Sequence, residues 1–280
     1  MKRFTKIASI LSGIIAMIGI GCLVMAFVIG LTPIRFMAMF EDGEFRFQTG
    51  NHKPVYIKDH EMEYDEIEEG VSNIELEFLA GNLEICYGDV RDIQIEHQNA
   101  AEFGWTCDED TLRIWKDTVF EDNSDVFLKI ILPKNTTYEK IYLEIGASQA
   151  KIRDIIAEEI DISVGTGKAD IRDLQAEVLS LEVGAGELNV WNLDAKDLDI
   201  EAGIGQVNVE VDGVESAYDY KVECGIGEVK IGETSYSGWG TEHHSSHHEK
   251  KHHGEDSDCK IDIKCGIGQV NVKFTGNFGE

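Results

Sequence analysis

Residues 179–190 read LSLEVGAGELNV, and this pattern of alternating apolar residues around a Gly-x-Gly decides the fold of the chain. Five other segments share it: IYLEIGASQAKI (141–152), IDISVGTGKADI (160–171), LDIEAGIGQVNV (198–209), YKVECGIGEVKI (220–231) and IDIKCGIGQVNV (261–272). Their first glycines are Gly146, Gly165, Gly184, Gly203, Gly225 and Gly266, so the spacings are 19, 19, 19, 22 and 41 residues. A repeat of fixed period indicates a solenoid or another stacked array.

Each repeat predicts two short strands joined by a glycine turn. In residues 179–190, Leu179, Leu181 and Val183 alternate with polar residues before the turn, and Leu188 and Val190 do so after it. Such alternation indicates strands with one buried face and one solvated face. The glycines allow the sharp bend between the two strands.

Stacking the repeats in sequence order aligns their apolar residues in inward columns. One predicted column is Ile145, Val164, Val183, Ala202, Cys224 and Cys265, and another is Ile152, Ile171, Val190, Val209, Ile231 and Val272. One repeat cannot bury its apolar edge alone, whereas six stacked repeats can. The predicted fold class is therefore all-β, with stacked two-strand repeats forming a β-solenoid domain over residues 71–274.

The first part of this domain is less regular. Residues 74–78 and 83–85 flank Gly81 in a diverged copy of the repeat, and further strands are predicted near residues 112–114 and 126–132. Terminal repeats are usually atypical, so residues 71–132 are expected to cap the stack. Residues 32–70 are predicted to be a linker or stalk, and residues 275–280 a C-terminal tail.

The N-terminal region contains a predicted transmembrane helix at residues 7–31, a run of 25 residues without a charged side chain. About 20 apolar residues are enough to span a bilayer. Lys2, Arg3 and Lys6 precede the run, so the positive-inside rule places residues 1–6 in the cytoplasm. We therefore expect a single-pass protein of the cell membrane, whose C-terminal domain is extracytoplasmic.

In two alternative interpretations, this apolar segment is a signal sequence that is cleaved from the mature protein. A secretory signal peptide would have a shorter apolar stretch and a small-residue cleavage site. A lipoprotein signal would place Cys22 at the new N-terminus, after a poorly matching Gly19-Ile20-Gly21. Both alternatives also place the repeat domain outside the cytoplasm.

The charge of the chain excludes one class of partner. The chain has 53 acidic and 25 basic residues, and four of the bases lie within residues 1–40, which contain no acid. Residues 41–280 therefore carry 53 acids against 21 bases, and such a surface repels nucleic acid and anionic lipid headgroups. The acidity either attracts cations and basic surfaces or simply keeps an exposed domain soluble.

The Gly-x-Gly repeats in series, preceded by Ile131-Leu132-Pro133, resemble the DUF4097 family, whose members are called putative adhesins. The resemblance covers about residues 71–274. It implies a surface protein tethered by one N-terminal helix, and some similar proteins belong to cell-envelope stress systems. Ser148, which stands in place of a second glycine, and the histidine-rich insert depart from the pattern. The family offers no agreed catalytic residues to carry over.

The insert at residues 237–258 contains the candidate metal ligands His243, His244, His247, His248, His252 and His253. Neutral imidazole is a good ligand for zinc, copper or nickel, and no other cofactor is predicted. The alternative is a solvated loop that binds metal loosely, because such tracts lack a fixed geometry. These histidines are also candidates for pH sensing, since imidazole titrates at mildly acidic pH.

Three cysteines near the C-terminus allow a disulfide. Cys224 and Cys265 fall in the same inward column, so adjacent rungs would bring their backbones within disulfide range. Cys259 lies on the same face of its strand and is a competing partner. The alternative is that all three are simply small buried residues.

Catalysis finds no support in these motifs. A nucleotide-binding fingerprint needs a third glycine and a following helix, whereas strands follow each glycine pair here. A calcium-binding β-roll needs a nine-residue repeat. No serine or cysteine lies in a recognisable nucleophile motif, so we predict that the chain is not an enzyme.

The predicted function is binding or adhesion by an extracytoplasmic, membrane-anchored protein through its solenoid surface. The partner is an unidentified surface ligand or membrane protein, and nucleic acid is not expected. One alternative is a regulatory component of a cell-envelope stress system, which predicts a membrane partner. A second alternative is transition-metal capture by the histidine-rich insert.

Overall fold

The computed structural model describes residues 63–67, 70–98, 103–116, 126–134, 136–237, 246–250 and 259–276. Within these ranges the chain is β-structure and loops apart from one short 3₁₀ helix, Glu215–Ala217, which confirms the all-β prediction. None of the described ranges holds a helix with the length and apolarity needed to cross a bilayer. The predicted membrane segment, residues 7–31, lies outside the described residues.

The described residues form eighteen strands that belong to one hydrogen-bonded sheet. The strands of the first part are β1 (Glu63–Ile67), β2 (Asn73–Phe78), β3 (Asn82–Gly88), β4 (Ile93–Gln98), β5 (Phe103–Asp108), β6 (Thr111–Lys116), β7 (Phe127–Pro133) and β8 (Tyr138–Ile145). The strands of the second part are β9 (Gln149–Val164), β10 (Lys168–Val183), β11 (Glu187–Ala202), β12 (Gln206–Val211), β13 (Tyr218–Cys224), β14 (Glu228–Ile231), β15 (Thr234–Ser237), β16 (Ser246–Lys250), β17 (Cys259–Cys265) and β18 (Gln269–Phe274).

Strands β9, β10 and β11 are long because each joins the second strand of one repeat to the first strand of the next. Each is 16 residues long, and its alternation of buried and exposed residues slips twice, which bends the strand at two points. The first bend contains Asp154, Asp173 and Asn192, whose φ angles are 59°, 58° and 55°. Aspartate and asparagine adopt this left-handed conformation more readily than other side chains, so these residues fit the bend.

The parallel pairing of the repeats stacks them as rungs around a continuous core. Ile152, Ile171 and Val190 are register partners across β9, β10 and β11. Both predicted inward columns are buried, with no member more than 4 % exposed. Full burial of one such aliphatic side chain contributes roughly 1.5–3 kcal/mol, so the columns supply the main stabilisation of the stack.

The last repeat in the sequence is not the last rung of the stack. β17 pairs in parallel with β11 on one side and with β13 on the other, and β18 pairs with β12 and β14 in the same way. The column therefore runs Ala202, Cys265, Cys224, which differs from the sequence order expected above. The 41-residue spacing before the last repeat gives the chain the length to leave the outer rung and return beneath it.

Antiparallel strands cover the outer rung at this end. β15 pairs with β14, and β16 pairs with β13. An uncovered parallel edge presents a row of unpaired backbone groups to other chains, and these two strands occupy that edge. β16 lies within the histidine-rich insert, so residues 246–250 of this insert are a strand of the sheet and not a solvated loop. Residues 238–245 and 251–258 of the insert lie outside the described residues.

The N-terminal end of the stack has a similar arrangement. The diverged repeat, β2 and β3, lies between the rung of β6 and β7 and the rung of β8 and β9. β5 then pairs antiparallel with β6, β4 with β7, and β1 with β4. Residues 63–67, which fall in the predicted linker 32–70, thus form strand β1 of the sheet.

Candidate binding surface

The Gly-x-Gly turns lie in one row, which we call the turn edge, made of residues 146–148, 165–167, 184–186, 203–205, 266–268 and 225–227 in that spatial order. In five of these turns the middle residue donates its backbone N–H to the carbonyl oxygen of the first glycine of the neighbouring turn, and in the first turn Ala147 donates to the carbonyl oxygen of Leu79. The N–O distances are 2.7 Å for Ile204 to Gly184, 2.8 Å for Ile267 to Gly203 and 2.8 Å for Ile226 to Gly266. The row therefore continues the strand pairing through the turns and holds their middle side chains in a fixed line.

The close approach of neighbouring turns explains the second glycine of each pair. A Cβ atom at Gly205 would lie 2.5 Å from the carbonyl oxygen of Gly186, and one at Gly268 would lie 2.2 Å from that of Gly205. A Cβ at Gly227 would lie 2.2 Å from the carbonyl oxygen of Gly268. Glycine is thus required by contact with a neighbouring backbone, which cannot move aside easily.

Ser148 replaces the second glycine where the neighbouring rung has no Gly-x-Gly turn. Its side chain is buried, and its Oγ donates a hydrogen bond to the carbonyl oxygen of Phe78 at 3.1 Å. Phe78 ends β2 of the diverged repeat, so the exception at Ser148 matches the change of partner beneath it.

Three isoleucines form an exposed apolar row on the turn edge. Ile204, Ile267 and Ile226 occupy the middle of three consecutive turns and are 47 %, 56 % and 59 % exposed. The corresponding residues of the other three turns, Ala147, Thr166 and Ala185, are small. Apolar side chains grouped on a surface commonly mark an interaction site. The sequence signal for this row is the Gly-Ile-Gly that occurs three times, at residues 203–205, 225–227 and 266–268.

An open groove of about 730 Å³ runs beside the row across five turns. Its polar wall is formed by the residue that comes directly after each of these turns. These residues are Gln149, Lys168, Glu187, Gln206 and Gln269. Lys168 Nζ lies 2.9 Å from Glu187 Oε1, so the two charged members neutralise each other. A hydrogen bond to Glu187 raises the pKa of Lys168, and hydrogen bonds from Asn189 and Lys168 lower the pKa of Glu187. The groove is thus polar and balanced in charge.

The outward faces of the first strands of the repeats are acidic. Glu182, Glu201 and Lys264 follow one another in register, with Asp199 and Asp262 in the next column. Lys264 Nζ lies 3.7 Å from Glu201 Oε2, with both side chains largely exposed. Exposed pairs of this kind contribute little to stability. In the ranges that the structure describes, no three His, Cys, Asp or Glu side chains are grouped to hold a metal ion.

Of the six predicted metal ligands, the structure describes only the backbones of His247 and His248. His243, His244, His252 and His253 lie outside the described residues. His247 and His248 lie on β16, where their backbones pair with Glu223 and Val222 of β13. Metal binding by the insert therefore stays a prediction from the sequence.

Comparison with protein families gives one match. Residues 173–232 match the family described as the N-terminal domain of toast_rack, DUF2154. The match extends from the bend of β10 to the residue after β14, so it includes three of the six regular repeats. It is a likeness to toast_rack over this segment, and the more specific resemblance to DUF4097 stays a prediction. No curated protein matches the chain.

Among solved structures, a "putative cell adhesion protein" from Clostridium sporogenes is 17 % identical, with a TM-score of 0.46. The match covers 80 % of this chain and 100 % of that one. A "putative adhesin" from Bacteroides fragilis is 12 % identical over 76 % of this chain and 97 % of its own, with a TM-score of 0.39. A "putative lipid binding protein" from Parabacteroides distasonis is 14 % identical over 77 % and 95 %, with a TM-score of 0.32.

Proposed function

We propose that the chain is a membrane-anchored, extracytoplasmic adhesion protein that binds an external surface component through its turn edge. The observation that carries the proposal is the row of exposed isoleucines, Ile204, Ile267 and Ile226, beside the balanced groove. The anchor is the apolar segment of residues 7–31. The role is binding, because the turn edge offers contact area and hydrogen-bonding groups.

The arrangement of the isoleucines supports binding more than folding. Their exposed side chains contribute less to the core than the buried residues on either side, and alanine or threonine serves the same turn position in three other rungs. Three successive exposed isoleucines therefore favour a contact made with something outside the domain.

The charge of the surface supports a restricted class of partner. Residues 41–280 carry a large excess of acid, whereas the groove beside the isoleucines has one lysine and one glutamate that neutralise each other. A partner that docks in the groove meets a polar and apolar surface with no net charge, and at the outer turn it also meets Glu228, which follows the turn of Ile226. Anionic polymers and anionic lipid surfaces would be repelled by the surrounding acid before they reached the groove.

Site-specific photo-cross-linking of the full-length protein in its native membranes tests the proposal. The photoreactive residue is placed at position 267, in the centre of the isoleucine row, and in a matched control at Gln175, an exposed position on β10. We expect adducts with a wall polymer, a secreted protein or another cell's surface protein from position 267. Replacing Ile204 and Ile226 by serine should reduce that yield while leaving the control unchanged.

Two outcomes contradict the proposal in different ways. Equal adduct patterns from positions 267 and 175 would show that the turn edge has no special role. Adducts with a membrane sensor or transporter would replace adhesion by the regulatory function and would keep the turn edge as the contact surface.

A further inference from the structure

Cys224 and Cys265 face each other across neighbouring rungs. They are register partners at the ends of β13 and β17, and both lie in the same inward column. Their side chains are 0 % and 4 % exposed, and both are free thiols. The Cys224 thiol is within hydrogen-bonding reach of the Cys265 thiol, and Cys224 Sγ also donates to the carbonyl oxygen of Gly227 at 3.2 Å.

We propose that Cys224 and Cys265 form a disulfide that joins the last repeat of the sequence to the outer rung of the stack. Neighbouring strands of a sheet lie about 4.8 Å apart. This is within the range of Cα separations, about 4.4–6.8 Å, that a disulfide accepts. Both side chains leave their strands toward the same side, so the bond needs a small approach of the two sulfurs and no change of face.

The structure separates this pair from the competing partner, Cys259. Cys259 is the first residue of β17 and pairs with Tyr218, at the opposite end of β13 from Cys224. Six residues of extended chain separate Cys259 from Cys265, which corresponds to about 20 Å at 3.3 Å per residue. Cys259 is therefore too far from both other thiols to form a bond in the folded rung.

Burial controls when the bond forms. Burial, with a contribution from Cys224, raises the pKa of the Cys265 thiol to about 11. The thiolate is the reactive species, so the closed stack reacts slowly with an oxidant. We expect the thiols to be oxidised during folding, while β17 and β18 are still opening and closing between their neighbours. Burial should then protect the finished disulfide from reductant.

The reaction is thiol–disulfide exchange with a disulfide oxidant such as oxidised glutathione. One cysteine thiolate attacks the oxidant, forms a mixed disulfide and releases one glutathione thiolate. The second cysteine then attacks the protein sulfur of the mixed disulfide and releases the other. Two protein thiols become one disulfide, and one oxidant disulfide is reduced to two thiols.

The bond stabilises the rung of β17 and β18, whose position in the stack differs from its position in the sequence. β17 and β18 are inserted between β11–β12 and β13–β14, so they leave only if two sets of strand pairs open. The disulfide ties this inserted rung to the outer one and closes the segment 225–264, which contains the histidine-rich insert, into a covalent loop. Closing a loop of this length restricts the unfolded chain and stabilises the folded one.

Trypsin separates all three cysteines of this region, so a peptide map identifies the bond directly. Cleavage after lysine gives VECGIGEVK (222–230) with Cys224, CGIGQVNVK (265–273) with Cys265, and HHGEDSDCK (252–260) with Cys259. The full-length protein in detergent is unfolded with urea and dithiothreitol and refolded with reduced or oxidised glutathione. It is then alkylated under denaturing conditions, digested and analysed by mass spectrometry.

We expect the linked peptide of VECGIGEVK and CGIGQVNVK after oxidative refolding, and alkylated Cys259 in both samples. Hydrogen exchange in β17 and β18 should be slower in the oxidised protein than in the reduced one. The Cys224→Ala variant should lose this difference and still fold, because alanine occupies the same column at Ala202. Alkylation of both Cys224 and Cys265 after oxidative refolding, or a link from either one to Cys259, would overturn the proposal.

Discussion

Asn271 Nδ2 donates a hydrogen bond to Asn208 Oδ1 at 2.8 Å, although 63 positions separate these two residues in the sequence. Asn208 Nδ2 in turn donates to Asn189 Oδ1 at 2.8 Å, and Asn189 Nδ2 donates to Asp170 Oδ1 at 2.9 Å. The side chains thus form a ladder across four rungs, in which the amides of Asn189 and Asn208 each donate to one neighbour and accept from the other. Such a chain of partly buried hydrogen bonds is a sensitive reporter of which rungs are adjacent.

The first prediction concerns this ladder. Asn208→Ala should lower the free energy of unfolding by about 1–2 kcal/mol, because it removes the partner of both Asn189 and Asn271. The measurement is urea unfolding followed by circular dichroism. Lys273→Ala, at an exposed position on the same strand as Asn271, is the matched control and should change the stability by less than about 0.5 kcal/mol.

A double-mutant cycle then tests the order of the rungs. Alanine substitutions at Asn208 and Asn271 should be coupled by about 1 kcal/mol, since the two side chains are bonded. Substitutions at Asn208 and Lys230 should be additive, because Asn271 lies between them. In a stack that followed the sequence order, Lys230 would be the neighbour of Asn208, and the two results would be exchanged.

The repeats predict the core well and the order of the rungs poorly. Val209, Val272 and Ile231 all carry the alternating pattern, so their burial in one column follows from the sequence. Nothing in that pattern distinguishes Val272 from Ile231 as the neighbour of Val209, because both fit the same column. Whether Val272 or Ile231 lies next to Val209 depends on which rung is outermost, because β15 and β16 must pair with the edge of that rung. This pairing is a property of the whole sheet and not of one repeat.

The second prediction concerns the contact between stacked turns. Gly268→Ala should destabilise the protein by about 3 kcal/mol, because the new Cβ would lie 2.2 Å from the carbonyl oxygen of Gly205. Gly165→Ala is the matched control. Its Cβ would lie 3.1 Å from the carbonyl oxygen of Gly146, a contact that a small backbone shift relieves. Equal losses of stability in the two variants would show that turn stacking is not the cause.

The turn edge illustrates a second limit of the sequence. The Gly-x-Gly pattern predicts a turn, and its two glycines follow from backbone bending and from close stacking. The middle residue is not constrained by either requirement, so the isoleucine row at Ile204, Ile226 and Ile267 carries no fold information. The three isoleucines lie in the last three repeats, so either order of these rungs puts them in one row, and the structure adds their exposure and the central place of Ile267.

The third prediction is a loss of stability at alkaline pH that involves Tyr218. This side chain is 4 % exposed, and its hydroxyl donates a hydrogen bond to the carbonyl oxygen of Ala195 at 2.9 Å. Burial raises the pKa of Tyr218 to about 12, above the ordinary value of 10.0. The folded state therefore holds the proton more tightly than the unfolded state. Its contribution to stability is complete below about pH 10 and is lost as the pH rises toward about 12.

Tyr218→Phe tests this dependence. The variant should be less stable by about 1 kcal/mol at pH 8, because the hydrogen bond to Ala195 is lost. Its stability should then fall less steeply than that of the wild type between pH 10 and 11.5, so the two curves converge. Unfolding in urea at each pH gives the comparison, and parallel curves would contradict the assignment to Tyr218.

The fourth prediction concerns the bend at Asp173, whose φ angle is 58°. Left-handed backbone costs a side chain about 1–2 kcal/mol relative to glycine, so Asp173→Gly should be more stable than Asp173→Ala by about 1 kcal/mol. Both variants lose the same exposed hydrogen bond from Asn192 Nδ2 to Asp173 Oδ1, so this loss cancels in the comparison. Gln175, two residues later on the same strand, is the matched control. There alanine should be the more stable choice, because glycine weakens an ordinary strand. The same preference at both positions would mean that the bend does not select for the left-handed conformation.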